Sequence, residues 1–127
     1  MLDLHLLPGE YAVCRLPAGS PIPPSLSGST ADVVSVTWTP DEMSVLCPSG
    51  RMPEGTVVDT LWRCFRAGPV SLAQTGTLAA LAGPLAEARV NIFAFSTHDS
   101  DYVLVPAVRL TEAVTALVDA GHRISEA

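Results

Sequence analysis

Apolar and polar positions alternate through much of the first half of this chain, and in parts of the second half they recur every three to four residues. Glu10 to Leu16 (EYAVCRL) is rich in β-favouring residues and stops at Pro17, which reads as a strand. Asp32 to Thr39 sets Val34, Val36 and Trp38 against Ser35, Thr37 and Thr39, a second strand. Pro40-Asp41-Glu42 is a turn and Met43 to Cys47 a third strand, so this pair reads as a hairpin. Asp59 to Arg66 is a fourth, with Trp62 and Cys64 on one face and Leu61, Arg63 and Phe65 on the other. The proline- and serine-rich stretch from Pro17 to Thr30 reads as an irregular surface loop or short turns.

From Thr75 the period changes. Leu78, Leu81, Ala82, Leu85 and Ala88 follow helical spacing, with Pro84 predicting a kink or break near Gly83. Asn91 to Thr97 and Asp101 to Val105 read as strands joined by the turn His98-Asp99-Ser100. Thr111 to Ala120 is a short helix with Val114, Leu117 and Val118 on one face. Thr111 is the expected cap, Glu112 suits the first turn, and Gly121 is placed to end the helix. His122 to Ser125 completes the order as an edge strand. The second half thus reads strand, helix, strand, strand, helix, strand, which packs as a sheet with two helices on one face: an α+β, ferredoxin-like arrangement. The first half has at least three strands and no clear helix, and reads as a degenerate relative. The expected division is 1–58 and 59–127.

Composition narrows the function. The chain has 127 residues, 48% of them hydrophobic, with a net charge of −6; all seven basic residues are arginines, and no run of basic residues occurs. A phosphate backbone attracts clustered positive charge, so nucleic acid is not an expected partner. The longest apolar region, Leu78 to Phe95, is interrupted by Glu87, Arg89 and Asn91 and is too polar to span a bilayer. Cys14, Cys47 and Cys64 are odd in number, widely spaced and set among apolar residues, which predicts buried thiols in a reducing, cytoplasmic compartment. His5 and His122 lie near the termini and are expected to be exposed. Trp38 and Trp62 are expected in core or interface packing. No G-x-S-x-G elbow, phosphate-binding loop or dinucleotide fingerprint occurs, and no cofactor is expected.

Residues 68 to 106 (GPVSLAQTGTLAALAGPLAEARVNIFAFSTHDSDYVLVP) resemble the small, free-standing bacterial ACT-domain proteins of the aspartate-kinase-like and arginine-sensor (CASTOR) branch. The shared features are Gly-Pro-Val, a Thr-Gly helix start, Pro-Leu-Ala-x-Ala, an Ile-Phe-x-x-Ser-Thr strand and an Asp-Tyr-x-Leu-Val strand. The resemblance implies two ACT-like halves, a regulatory role without catalysis, a homodimer, and an amino-acid site. Carried over by position, that site comprises Ser71, Gln74, Thr75, Gly76 and Thr77 in the loop, with Thr97, His98 and Asp101 in the opposing turn. The arginine sensors have an acid where this chain has Gln74, which counts against arginine itself. Elementary chemistry agrees with the placement: a helix N-terminus at Gly76 suits a carboxylate, and Asp101 suits an ammonium. Two other readings remain. One is an interaction module with no small ligand, using its edge strands and the loop Pro21 to Leu26. The other is an enzyme built on Ser96 to Asp101, which requires His98 or Asp101 in a deep pocket.

Overall fold

The computed structural model describes residues 1–28, 33–70 and 75–126. The chain forms two units, Met1–Pro8 with Trp62–Ala127, and Gly9–Leu61.

The first unit is built on strands β1 (Asp3–Leu6), β5 (Trp62–Ala67), β6 (Phe93–Ser96), β7 (Asp101–Pro106) and β8 (Arg123–Glu126), with helices α1 (Thr77–Glu87) and α2 (Leu110–Asp119). Within it the strands lie in the order β6-β7-β5-β1-β8. The βαββαβ order expected from periodicity is present. Residues 1–8, expected in the first half, instead supply β1, which pairs antiparallel with β5 and parallel with β8. Leu2, Leu4 and Leu6 alternate with Asp3 and His5, a strand signal legible in the sequence but too short to stand out.

Alternation divides this sheet into two faces. Leu4, Leu6, Phe65, Ala67, Val103 and Val105 pack with Leu81 and Leu85 of α1 and Ala113 and Leu117 of α2. The residues between them on each strand face the other way.

α1 runs from Thr77 to Glu87 without interruption, Pro84 included. The break expected at Gly83 is absent, and the reason lies far away in sequence. Pro84 has no N–H to give the Ala80 carbonyl, its usual partner four residues back. His122 fills the vacancy: its Nε2 lies 2.9 Å from the Ala80 oxygen, while the Leu2 N–H donates to Nδ1 at 3.1 Å. These bonds make Nε2 the protonated nitrogen. His122, expected to be exposed, is therefore buried.

Both helices end with the chain passing through a left-handed residue. Gly121 (φ 97°) donates to Val118 at 2.9 Å and His122 to Leu117 at 3.1 Å, so Gly121 stops α2 as expected. α1 uses the same hydrogen-bond pattern with Arg89 at φ 58°. Thr111 is not the cap of α2; the helix begins one residue earlier, with Arg109 at the N-cap. Arg109 Nε donates to Glu112 Oε2 at 2.7 Å.

The second unit is a three-stranded antiparallel sheet in the order β3 (Ser35–Trp38), β4 (Glu42–Pro48), β2 (Tyr11–Pro17). The predicted hairpin is β3–β4. Thr39 Oγ1 holds its turn, accepting from the N–H groups of Asp41 and Glu42 at 3.2 and 3.1 Å. Trp38 is 55% exposed and so takes no part in this core. Ala12, Cys14, Met43, Val45 and Cys47 form the core, with Leu26, Met52, Val58 and Leu61 packed against it from loops. Arg51 pins the proline-rich loop, donating to the Ser25 and Ser27 carbonyls at 3.0 and 3.2 Å. The three cysteines are all buried, and burial pushes the Cys47 and Cys64 thiols up to about 12, with Cys14 beside Cys47 adding to the effect there.

Candidate functional site

The candidate site lies in the first unit, where the segment after β5 meets the turn between β6 and β7. Gly68 makes the meeting possible. Its φ is +150°, and a Cβ there would lie 2.6 Å from Ser100 Oγ and 3.1 Å from the Asp99 carbonyl oxygen. Two residues on, the Val70 N–H donates to that same Asp99 oxygen at 2.6 Å. Glycine was legible at this position only as punctuation; its requirement comes from a contact across about thirty residues of sequence.

On one side of the site is the start of α1. Gly76 has φ +83°, is exposed, and has open space where a Cβ would stand. Gly76, at the N-cap, has no side chain to cap the helix, and the Ala80 N–H donates to the Gly76 oxygen at 2.9 Å. The N–H groups of its first turn therefore lack intrahelical partners and carry partial positive charge. Thr75 is exposed beside it, whereas Thr77 is buried at 6% exposure and does not open to a ligand as expected. Ser71 and Gln74, the other expected loop residues, lie outside the described residues.

On the other side is the turn. The Thr97 N–H donates to the Ser100 oxygen at 2.9 Å, closing it. Asp101 opens β7 and stands opposite Ala67 of β5 and Ser96 of β6, on the helix-covered face. Its Oδ1 accepts from Ser96 Oγ at 2.5 Å. His98 and Asp99 contact each other at 2.7 Å, but their side chains are 83% and 78% exposed. They form a solvated pair, not the deep pocket that acid–base chemistry requires. Ser100, not among the residues carried over for the ligand site, is the buried member of the turn. Among the described residues no group of three or more His, Cys, Asp or Glu is placed to hold a metal ion.

Residues 57–119 match the family model of the ACT domain. This stretch of the chain is an ACT domain. Residues 9–55 match a second model, that of an N-terminal domain. An Agobacterium tumefaciens protein of known crystal structure is 35% identical, with a TM-score of 0.88 over 99% of this chain and 93% of that one. A Vibrio cholerae protein of unknown function, a possible transport protein, is 17% identical, with a TM-score of 0.70 over 94% of this chain and 89% of that one. The aspartate kinase of Clostridium acetobutylicum, an allosteric enzyme, is 12% identical, with a TM-score of 0.61 over 87% of this chain and 33% of the kinase. The last two likenesses are of fold alone. No curated protein matches the chain. None of the described helices is long and apolar enough to cross a membrane.

Proposed function

We propose that this ACT protein is a non-catalytic regulator that binds a small molecule, an amino acid, between the start of α1 and the β6–β7 turn. The observation that carries this reading is the bond from Val70 to Asp99, which ties the segment leading into α1 to the turn that precedes Asp101. An amino acid has the two charges such a site asks for. Its carboxylate meets the positive end of the α1 dipole, and its ammonium meets the Asp101 carboxylate. The likeness to an allosteric aspartate kinase supports a regulatory role, and the chain is read as a cytoplasmic homodimer of the small bacterial kind.

The test is a thermal-shift screen of the whole protein against the amino acids and related metabolites. A ligand at a hundred times its Kd stabilises the folded state by about 2.7 kcal/mol, a shift of several degrees. One class of amino acid is expected to give that shift and to lose it in Asp101→Ala. Silence across the whole set overturns the amino-acid reading. Gel filtration of the same sample checks the dimer.

A further inference from the structure

The face of the first unit's sheet turned away from α1 and α2 carries a second arrangement of chemistry. One row crosses all five strands there. Ser125 of β8 stands opposite His5 of β1, His5 opposite Arg66 of β5, Arg66 opposite Tyr102 of β7, and Tyr102 opposite Phe95 of β6. Directly opposite residues share a face, so these side chains form one strip.

Arg66 is the centre of the strip and is not satisfied by the fold. Its Nε is buried without a hydrogen-bond partner, and among the described residues its guanidinium makes no hydrogen bond or ion pair. Arg63, on the same strand, shows the contrast: it too has an unpartnered Nε, but its Nη2 reaches the Leu7 carbonyl at 3.4 Å. A partly buried guanidinium with no acceptor is costly, and an arriving anion relieves that cost. The neighbours favour an anion. His5 Nδ1 lies 3.0 Å from Ser125 Oγ, and both residues line a cavity of about 440 Å³ with Asp3, Leu4, Arg123 and Ile124. Asp3 and Arg123 neutralise each other at 2.8 Å, so the unbalanced charge next to His5 in the row is that of Arg66. This cation stands in a chain whose net charge is −6.

The other end of the row is aromatic. Phe95 and Tyr102 stack with ring centroids 4.8 Å apart and planes 2° from parallel. Flat apolar surface thus adjoins an unpaired guanidinium, whose fork matches a carboxylate.

We propose that this strip is a second binding site, separate from the α1 site, for a small aromatic carboxylate. Its carboxylate docks on Arg66, and its ring lies against the Phe95–Tyr102 pair.

The experiment is isothermal titration of the whole protein with three probes: benzoate, its neutral counterpart benzyl alcohol, and acetate. Benzoate is expected to bind, with benzyl alcohol and acetate each at least about tenfold weaker because each lacks one half of the recognition. Arg66→Gln is expected to weaken benzoate by about tenfold or more, and Arg66→Lys, which keeps the charge but not the fork, by less. Circular dichroism shows which variants are folded, and Arg66→Lys carries the test if Arg66→Gln is not. Asp101→Ala, at the other site, is expected to leave benzoate binding unchanged, so failure of the amino-acid reading does not touch this one. Benzyl alcohol or acetate binding as tightly as benzoate overturns the proposal. So does benzoate affinity unchanged in both Arg66 variants, or no benzoate binding up to about 10 mM.

Discussion

In the first unit, the inner face of the sheet meets Leu81, Leu85, Ala113 and Leu117 from two helices. In Gly9–Leu61, the core face of the sheet meets Leu26, from a single 3-10 turn (Pro24–Leu26), and Met52, Val58 and Leu61 from loops. Both arrangements remove apolar strand residues from water, but they differ in what holds the cover in place. A helix satisfies its own backbone and presents side chains at fixed spacing, whereas a loop must be tied down by side chains. Arg51 does this in the second unit, with two bonds to the proline-rich loop. The helix-covered unit also gains helix ends, and the candidate amino-acid site uses one of them. Gly9–Leu61 has no α-helix among its described residues and therefore no such terminus to offer.

The comparison breaks most visibly at the two covers. Leu85, on the inner face of α1, is fully buried, and Leu85→Ala is expected to cost about 3 kcal/mol because two packed layers cannot close over the cavity. Leu26→Ala, in the loop cover, is expected to cost about 1 kcal/mol because the loop can settle inward. Urea unfolding of the two variants measures both, and equal losses would show that the loop is as rigid a cover as the helix.

The next effect tests how α1 survives its proline. His122→Ala strips a partner from both the Ala80 carbonyl and the Leu2 N–H, with an expected cost of about 2 kcal/mol. In a Pro84→Ala background the restored N–H can take the Ala80 carbonyl, so the same substitution is expected to cost only about 1 kcal/mol. A double-mutant cycle reads the difference, and strict additivity would refute the rescue.

A feature common to both units comes next. Cys64 in one and Cys47 in the other have thiols raised from 9.0 to about 12. In the unfolded chain these thiols ionise near their ordinary value, while the folded chain keeps them protonated. The stability they contribute is therefore complete below pH 9 and declines between pH 9 and pH 12, by about 1 kcal/mol per thiol at pH 10. Denaturation midpoints measured from pH 8 to pH 10.5 should fall, and fall less in Cys64→Ala and Cys47→Ala, each compared with its own midpoint at pH 8.

The smallest expected effect is a gain. Arg89 ends α1 at φ 58°, a conformation that costs an arginine more than a glycine. Arg89→Gly is expected to raise stability by about 0.5 kcal/mol, seen as a higher Tm, whereas Gly121→Arg at the equivalent position of α2 is expected to lower it.

Much of the fold was legible. Alternation located β2, β4, β5 and β7 within a few residues, and the three-to-four period located both helices. What local pattern missed has a common cause. β1 is only four residues long, and it became a strand because β5 and β8 lie on either side of it. The predicted break near Pro84 is absent, and its remedy is a histidine thirty-eight positions later. Thr111 was a plausible cap by type, but Arg109 and Glu112 set the helix start one residue earlier. At the candidate site, Gly76 lies at the start of α1, and Thr97 and Asp101 lie about the β6–β7 turn. Thr77, however, turns inward and is buried, and Gly68 and Ser100, whose close approach holds the turn, carried no local signal of that role.

The sequence by itself determined the periods: which residues alternate, which recur at helical spacing, where glycine and proline interrupt them, and that no run of basic residues exists. Those properties belong to neighbours along the chain, where steric and hydrophobic preferences act directly. Only the tertiary structure decided which distant groups complete one another. It seated β1 between β5 and β8, gave the Ala80 carbonyl to His122, tied Val70 to Asp99, and aligned Ser125, His5, Arg66, Tyr102 and Phe95 in one row. Each of these depends on strand register and chain closure over long separations, and a shift of one residue in any strand would move its side chain to the opposite face.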